Sequence, residues 1–315
     1  MNGPVECPVE CVTFSNVIVD DIVLWDGRTL MGTLGGGGTH ALVGMRVWGA
    51  RPRNGFVAWT GVDFDPAMRA QLERIDVDPS GLYERPDPTT RAWQIIERDD
   101  RRTEIFRTDL AAFVRNSPTL ANIPAAWLRA RGMHLMTNGT VAQHIEFVAG
   151  LRRVAPDMVL VFEPAPEHDG ARIADYGDSL AQLTLFSPDI DQARALTGCD
   201  DVEDMAKTML DAGAPLVAIR MGARGSYVRG HTVAPLYVPA VPPRVLVDVT
   251  GAGNAYCGGF TVSLARGYDA HEAALRAAVS ASFALEQFGV PHFGPGHEEE
   301  AARRLEWCRA TSDSG

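Results

Sequence analysis

The sequence predicts an α/β fold built on a doubly wound, mostly parallel sheet. Three observations predict it. From about residue 133 short apolar segments alternate with amphipathic segments of helix length, the order that lays a parallel sheet between helices. A glycine-rich turn, Gly251 to Gly253, separates an apolar stretch from a long helical one. The residues with chemical potential fall at the ends of strands, where such sheets bind ligands.

The elements follow in order. Residues 12–24 are β-branched and apolar and end near paired aspartates, which predicts one buried strand running into a site. Gly35–Gly38 precedes a helical pattern that Gly49 stops. Segment 57–62 reads as a strand and 66–74 as a short helix. Residues 91–107 alternate apolar and polar around a charged turn, Asp99 to Arg102, which predicts a hairpin lying over something. Then come strand 134–136, helix 141–154, strand 158–163, strand 183–186, helices 189–197 and 201–212, and strand 216–220. A hairpin follows at 226–238. The apolar 245–247 reads as a strand before the glycine turn, with helices at about 254–266 and 271–287. The domain is placed at 12–296 with the hairpin at about 91–107 inserted, and 1–11 and 297–315 as terminal extensions. The final Ser-Asp-Ser-Gly is read as disordered.

The 315 residues carry 29 basic and 40 acidic side chains, a net charge of −11. A polyanion needs a basic face, so nucleic acid is excluded as a partner. A small anion can still bind through backbone N–H groups, which the charge count does not see. No apolar run reaches the roughly 18–20 residues that span a bilayer, so no membrane partner is expected. Met1 to Glu10 lacks a signal-peptide pattern. The five cysteines are odd in number and scattered, which predicts reduced thiols and a cytoplasmic protein. Cys7 and Cys11 have no matching second pair for a metal site and read as a loose N-terminal segment. Lys207 is the only lysine, read as a composition bias.

The strongest segment is Asp248-Val-Thr-Gly-Ala-Gly-Asn-Ala-Tyr-Cys-Gly-Gly-Phe260. Its small residues would leave the N–H groups of Gly251, Ala252 and Gly253 free at a helix N-terminus. There orphan donors and the helix dipole favour phosphate oxygens. The segment resembles the Asp-Thr-Thr-Gly-Ala-Gly-Asp signature of the ribokinase-type (PfkB-like) carbohydrate kinases. Four more segments are similar and in the same order. They are Gly35–Gly49, the Pro88–Arg107 hairpin as a lid, Asp189-Ile-Asp-Gln-Ala-Arg-Ala-Leu-Thr-Gly198, and Val217-Ala-Ile-Arg-Met-Gly-Ala-Arg-Gly-Ser226. The resemblance spans residues 12–293 and implies a three-layer α/β/α ribokinase-like fold with a small β lid.

It also implies an activity: transfer of the γ-phosphate of ATP, with Mg²⁺, to a hydroxyl of a sugar, nucleoside or related small polyol. Under it, Gly251, Ala252 and Gly253 hold the migrating phosphoryl. Gly222, Gly225, Asp189 and Arg220 serve the nucleotide. Asp20 or its neighbour Asp21, with Gly35, Gly36 and His40, serves the substrate. Asp189, Gln192 and Glu163 serve the metal through water. Lid hairpins pair across dimers in some members, so a homodimer is compatible.

The departures from the pattern bear on the chemistry. The family's general base is the Asp closing Gly-Ala-Gly-Asp; here it is Asn254, which cannot accept a proton near neutrality. Such a base is typically worth about 10²–10⁴ in rate. Asn-x-x-Glu becomes Asp189-x-x-Gln192, the substrate-side Asn becomes His40, and Arg220 replaces a small polar residue. His40 reads either as a surrogate base, since imidazole titrates near pH 7, or as a neutral contact. These linked changes, with Ser282–Gly289, resemble a fungal-type branch of the family. Three rivals stand beside the active kinase. They are a pseudokinase that binds ligand in a regulatory role, a kinase inactivated by one change, and a dinucleotide-dependent oxidoreductase. The last fits poorly, because Gly35–Gly38 is not Gly-x-Gly-x-x-Gly.

Overall fold

The computed structural model describes residues 7–49, 52–98, 101–115, 117–137, 139–165 and 170–312. Its first strand corrects the sequence reading. Residues 12–24 are two strands, β1 (Val9–Phe14) and β2 (Ile18–Leu24), and they belong to different sheets. The break lies at Ser15-Asn16-Val17. There the chain leaves the main sheet, and β2 pairs antiparallel with β3 (Thr29–Gly35), an element the sequence reading missed. Then come α1 (Gly37–Arg46), β4 (Arg53–Gly61), α2 (Pro66–Arg74), β5 (Val77–Asp78) and β6 (Leu82–Arg85). The expected hairpin forms as β7 (Arg91–Ile96) and β8 (Arg102–Phe106), antiparallel to each other. Of its charged turn, Asp99 and Asp100 lie outside the described residues. Strand β7 pairs parallel with β2, so the lid is a four-stranded sheet in the order β3-β2-β7-β8.

The rest of the chain builds most of the main sheet. After α3 (Leu110–Arg115) come β9 (Gly132–Leu135), α4 (Val141–Val154), β10 (Val159–Phe162), β11 (Leu185–Phe186), α5 (Ile190–Thr197) and α6 (Val202–Asp211). They are followed by β12 (Leu216–Arg220), β13 (Ser226–Gly230), β14 (Leu236–Val238), α7 (Ala252–Ala265), α8 (Ala270–Ala284) and α9 (His297–Ser312). The main path runs β14-β13-β12-β11-β10-β9-β1-β4-β5, with β6 beside β4. Pairing is parallel from β12 to β5 and antiparallel at β13 and β14.

Strand periodicity divides the core into two layers. Leu160 and Phe162 of β10 pack with Val148, Leu151, Met205 and Met209 from α4 and α6. Val161, between them, packs with Phe260, Leu275 and Val279 from α7 and α8. A three-layer α/β/α sandwich results. Helices α1 and α7 cross at backbone contact: a Cβ on Gly44 would stand 1.9 Å from the Ala255 carbonyl oxygen, and one on Gly258 would stand 1.9 Å from that of Ala41.

Two further expectations differ. The expected strand at 245–247 does not form: residues 239–250 hold no strand, and the Val247 N–H donates to the Leu285 carbonyl at 2.8 Å instead. Residues 297–312, set outside the domain by the sequence reading, form α9, whose Ala301, Leu305 and Cys308 are buried against α8.

Candidate functional site

A cavity of about 950 Å³ opens at the carboxyl ends of the parallel strands, under the lid sheet. One end is polar: Asn16 and His40 from the main body meet Asp20, Gln94, Arg102 and Glu104 from the lid sheet. The other end is largely apolar, with Ala240, Val241, Pro242, Leu246 and Leu285. Gly251, Ala252 and Gly253 lie on the wall with Asn254. The glycine turn leads into a helix, as the sequence predicts. Gly251 caps α7 at φ 77°, a conformation that favours glycine, and the helix begins at Ala252 with no side-chain cap among the described residues.

Two side chains lie close against this turn. A Cβ on Gly253 would stand 2.1 Å from Arg220 Nη1, and one on Gly251 would stand 2.1 Å from His40 Cγ. Arg220 ends β12. Its Nη1 pairs with Glu163 Oε1 at 2.5 Å, its Nη2 donates to the Ser187 carbonyl at 3.1 Å, and its Nε has no partner among the described residues. Burial would raise the Glu163 pKa, but the Arg220 charge, with hydrogen bonds from His134 and Asn254, outweighs it and holds the group at about 2. Glu163 Oε2 accepts from Asn254 Nδ2 at 2.9 Å and lies 3.2 Å from His134 Nε2. His134 Nδ1 in turn meets Thr13 Oγ1 at 2.8 Å. Cys257 joins this cluster, with ligand atoms of His134, Glu163 and Cys257 within 4.8 Å of one another. The geometry seen here is that of an ion-pair network: Arg220 already pairs with Glu163, and burial pushes the Cys257 thiol up to about 12.

At the polar end the register question resolves. Asp20 faces the cavity and Asp21 faces away. Asp20 Oδ1 accepts from Gln94 Nε2 at 2.9 Å, and burial first, then Glu104 and Asp248, raises its pKa to about 7. Asp21 is fully buried, accepts from the Gly32 N–H at 2.9 Å, and is held by Arg91 and Arg107. It is a tie within the lid and, unlike Asp20, does not line the cavity. Gly36 lines the cavity, whereas Gly35 packs behind Asp20, where a Cβ would stand 1.9 Å from Oδ2.

His40 lies buried at the same end. Burial, then the Arg102 charge, lowers its pKa to about 4, so it is neutral at pH 7 and does not titrate near the working pH. Its Nδ1 is buried without a partner.

The three metal-side residues do not fare alike. Gln192 closes the cap of α5: its Oε1 accepts from the Asp189 N–H at 3.0 Å and its Nε2 donates to the Pro164 carbonyl at 3.0 Å. Glu163 has both oxygens engaged. Asp189 Oδ1 caps the same helix, accepting from Asp191 and Gln192 N–H groups, and the residue lines the cavity. Gly222 (φ 59°) and Gly225 (φ 85°) form the turn at the cavity beside Ala223, as expected.

The sequence reading missed Gln94, Arg102, Glu104 and Phe106. The signal was there in β7, where Gln94 falls in phase with the buried Ala92 and Ile96. It also missed His134, which carries no local motif.

The comparisons agree with this geometry. A family model described as pfkB family carbohydrate kinase matches residues 17–293. An uncharacterized protein of Schizosaccharomyces pombe is 26% identical, over 90% of this chain and 86% of its own. A cytidine kinase of Thermococcus kodakarensis is 26% identical, over 82% of this chain and 90% of its own. The structure of Arabidopsis thaliana ribokinase complexed with ribose and ATP superposes at a TM-score of 0.73 with 17% identity, covering 95% of this chain and 99% of that one. With the motif order, the lidded cavity and the helix-start anion hole, the chain belongs to the pfkB family of carbohydrate kinases.

Proposed function

We propose that the protein transfers the γ-phosphoryl group of ATP to a hydroxyl of a sugar, nucleoside or related small polyol. The observation that carries this reading is the continuity of one cavity: an apolar end, free N–H groups along its wall, and a lidded carboxylate end. ATP lies along the Gly222–Gly225 turn with its base against Val241, Leu246 and Leu285. Its γ-phosphoryl sits over Gly251, Ala252 and Gly253, where the helix start and the Arg220 guanidinium meet the charge. The polyol binds through Asp20, Asn16 and Gln94, with neutral His40 as a hydrogen-bonding contact beside the phosphoryl. Mg²⁺ supplies charge neutralisation of the phosphates when bound. Asp189, which lines the cavity, would hold its water shell, whereas Gln192 and Glu163 are engaged within the protein.

Phosphoryl transfer asks for positioning and charge stabilisation more than covalent help. Loss of the carboxylate at 254 therefore lowers the rate without removing the activity. The binding-only alternative is not favoured, since relatives named as kinases match most of the chain. The five cysteines are all free, which supports a cytoplasmic setting. The test is calorimetry of ATP with a sugar and nucleoside panel, followed by a transfer assay on each acceptor that binds. Nucleosides come first, because one relative is a cytidine kinase. Saturable transfer to at least one acceptor is expected; binding of ATP and acceptor without transfer would favour the pseudokinase.

A further inference from the structure

Asn254 stands where the family has its base, and the structure shows what holds it. Its Nδ2 donates to Glu163 Oε2 at 2.9 Å. Glu163 is ionised, and an ionised carboxylate only accepts, so the amide nitrogen must face it. The remaining atom, Oδ1, takes no hydrogen bond from the described residues, and Asn254 lines the cavity. Glu163 is itself fixed by Arg220 and His134, and His134 by Thr13. The carboxamide therefore has one orientation, set by a buried chain of contacts.

We propose that Glu163 is a positioning residue that locks the Asn254 carboxamide with Oδ1 toward the acceptor hydroxyl, so that Asn254 orients the nucleophile instead of deprotonating it. This rests on the kinase reading above. A carboxamide can orient an attacking hydroxyl in phosphoryl transfer, because the loose transition state asks little of a base. The acceptor oxygen bonds to the γ-phosphorus. The bond from that phosphorus to the oxygen bridging the β-phosphate breaks, and ADP leaves with its electron pair. The hydroxyl proton ends on an oxygen of the transferred phosphoryl group, from which solvent takes it.

The pairing makes an unusual demand on variants. In Glu163→Gln, Arg220 claims the new amide's oxygen, so its NH₂ turns to Asn254. Asn254 must then flip and present its own NH₂ to the hydroxyl. In Asn254→Asp, two carboxylates face each other across the 2.9 Å contact, and one must hold a proton. The double variant resolves both conflicts, with the amide of residue 163 donating to a carboxylate at 254.

The test is kcat and KM for wild type, both single variants and the double, on an acceptor that wild type turns over. The side-chain NH₂ resonance of Asn254 is followed by NMR in wild type and Glu163→Gln. Glu163→Gln is expected to lower kcat by about 10²-fold, the scale of a misplaced reacting group, with KM for ATP nearly unchanged, and to move the resonance. Asn254→Asp alone falls below wild type, and the double variant exceeds both singles. A Glu163→Gln enzyme with wild-type kcat, a double variant no better than Asn254→Asp, or an unmoved resonance overturns the proposal. Wild type that binds ATP and acceptor without turnover would contradict the kinase reading, and the resonance still decides the role of Glu163.

Discussion

Asp20 and His40 sit at the same end of the cavity, and burial moves their pKa values in opposite directions. Asp20 is raised from 3.8 to about 7, so the folded state prefers the protonated acid. Its contribution is fully present below pH 3.8 and is lost as pH rises toward 7. Asp20→Asn should therefore gain more stability over wild type at pH 8 than at pH 5, while acceptor binding is lost. Equal shifts in melting temperature at the two pH values would contradict this. His40 is lowered from 6.5 to about 4, so the folded state holds it neutral. That contribution is present above pH 6.5 and is lost as pH falls toward 4. His40→Asn should flatten the acid side of the stability curve in that window, and a curve as steep as wild type would count against it. At the anion hole, Gly253→Val puts a side chain where Arg220 Nη1 stands 2.1 Å from a mere Cβ. ATP binding should disappear in calorimetry while the far-ultraviolet circular dichroism stays native; unchanged affinity would remove Gly253 from the phosphate site.

At the scale of elements, the lid and the crossing of α1 with α7 carry the site. The lid is tied by Asp21, which joins β2 to Arg91 of β7 and to Arg107 just beyond β8. Asp21→Asn weakens that tie without touching the nucleotide end. KM for the acceptor should rise about tenfold, a loss of roughly 1.4 kcal/mol, with ATP affinity unchanged; a parallel loss of ATP affinity would show that the lid is not a separate element. Helix α1 brings His40 to Gly251 only because Gly44 and Gly258 let it touch α7. Gly44→Ala should cost about 1–3 kcal/mol in denaturant unfolding, the scale of overpacking, and a neutral effect would mean the helices are free to part. Sequence legibility followed the same division. The glycine turn, the helix that starts at Asp189 and the hairpin β7–β8 were readable, because each has a local pattern of turn residues, caps or alternation. The split of 12–24 into β1 and β2 was not. Both halves are buried, so no polar phase marks where the chain changes sheets. Asp21 was indistinguishable from Asp20 for a related reason: the arginines that claim it lie about 70 and 86 positions away.

Over the whole molecule, the main sheet, the lid and the helix-start turn enclose one cavity whose two ends differ in chemistry. Under the proposed function, a nucleotide and a polyol would lie end to end there, with the Gly251–Gly253 turn between them. The network of Glu163, Arg220 and Asn254 could not be read from the sequence, since its members come from the ends of β10 and β12 and the start of α7, far apart along the chain. The measurement that tests the account most directly is transfer of label from γ-labelled ATP to an acceptor shown by calorimetry to bind with ATP. The account predicts labelled acceptor, formed in proportion to wild-type enzyme and abolished by Gly253→Val. Label that never leaves ATP for any acceptor bound beside it, at a rate above a control without enzyme, would contradict it.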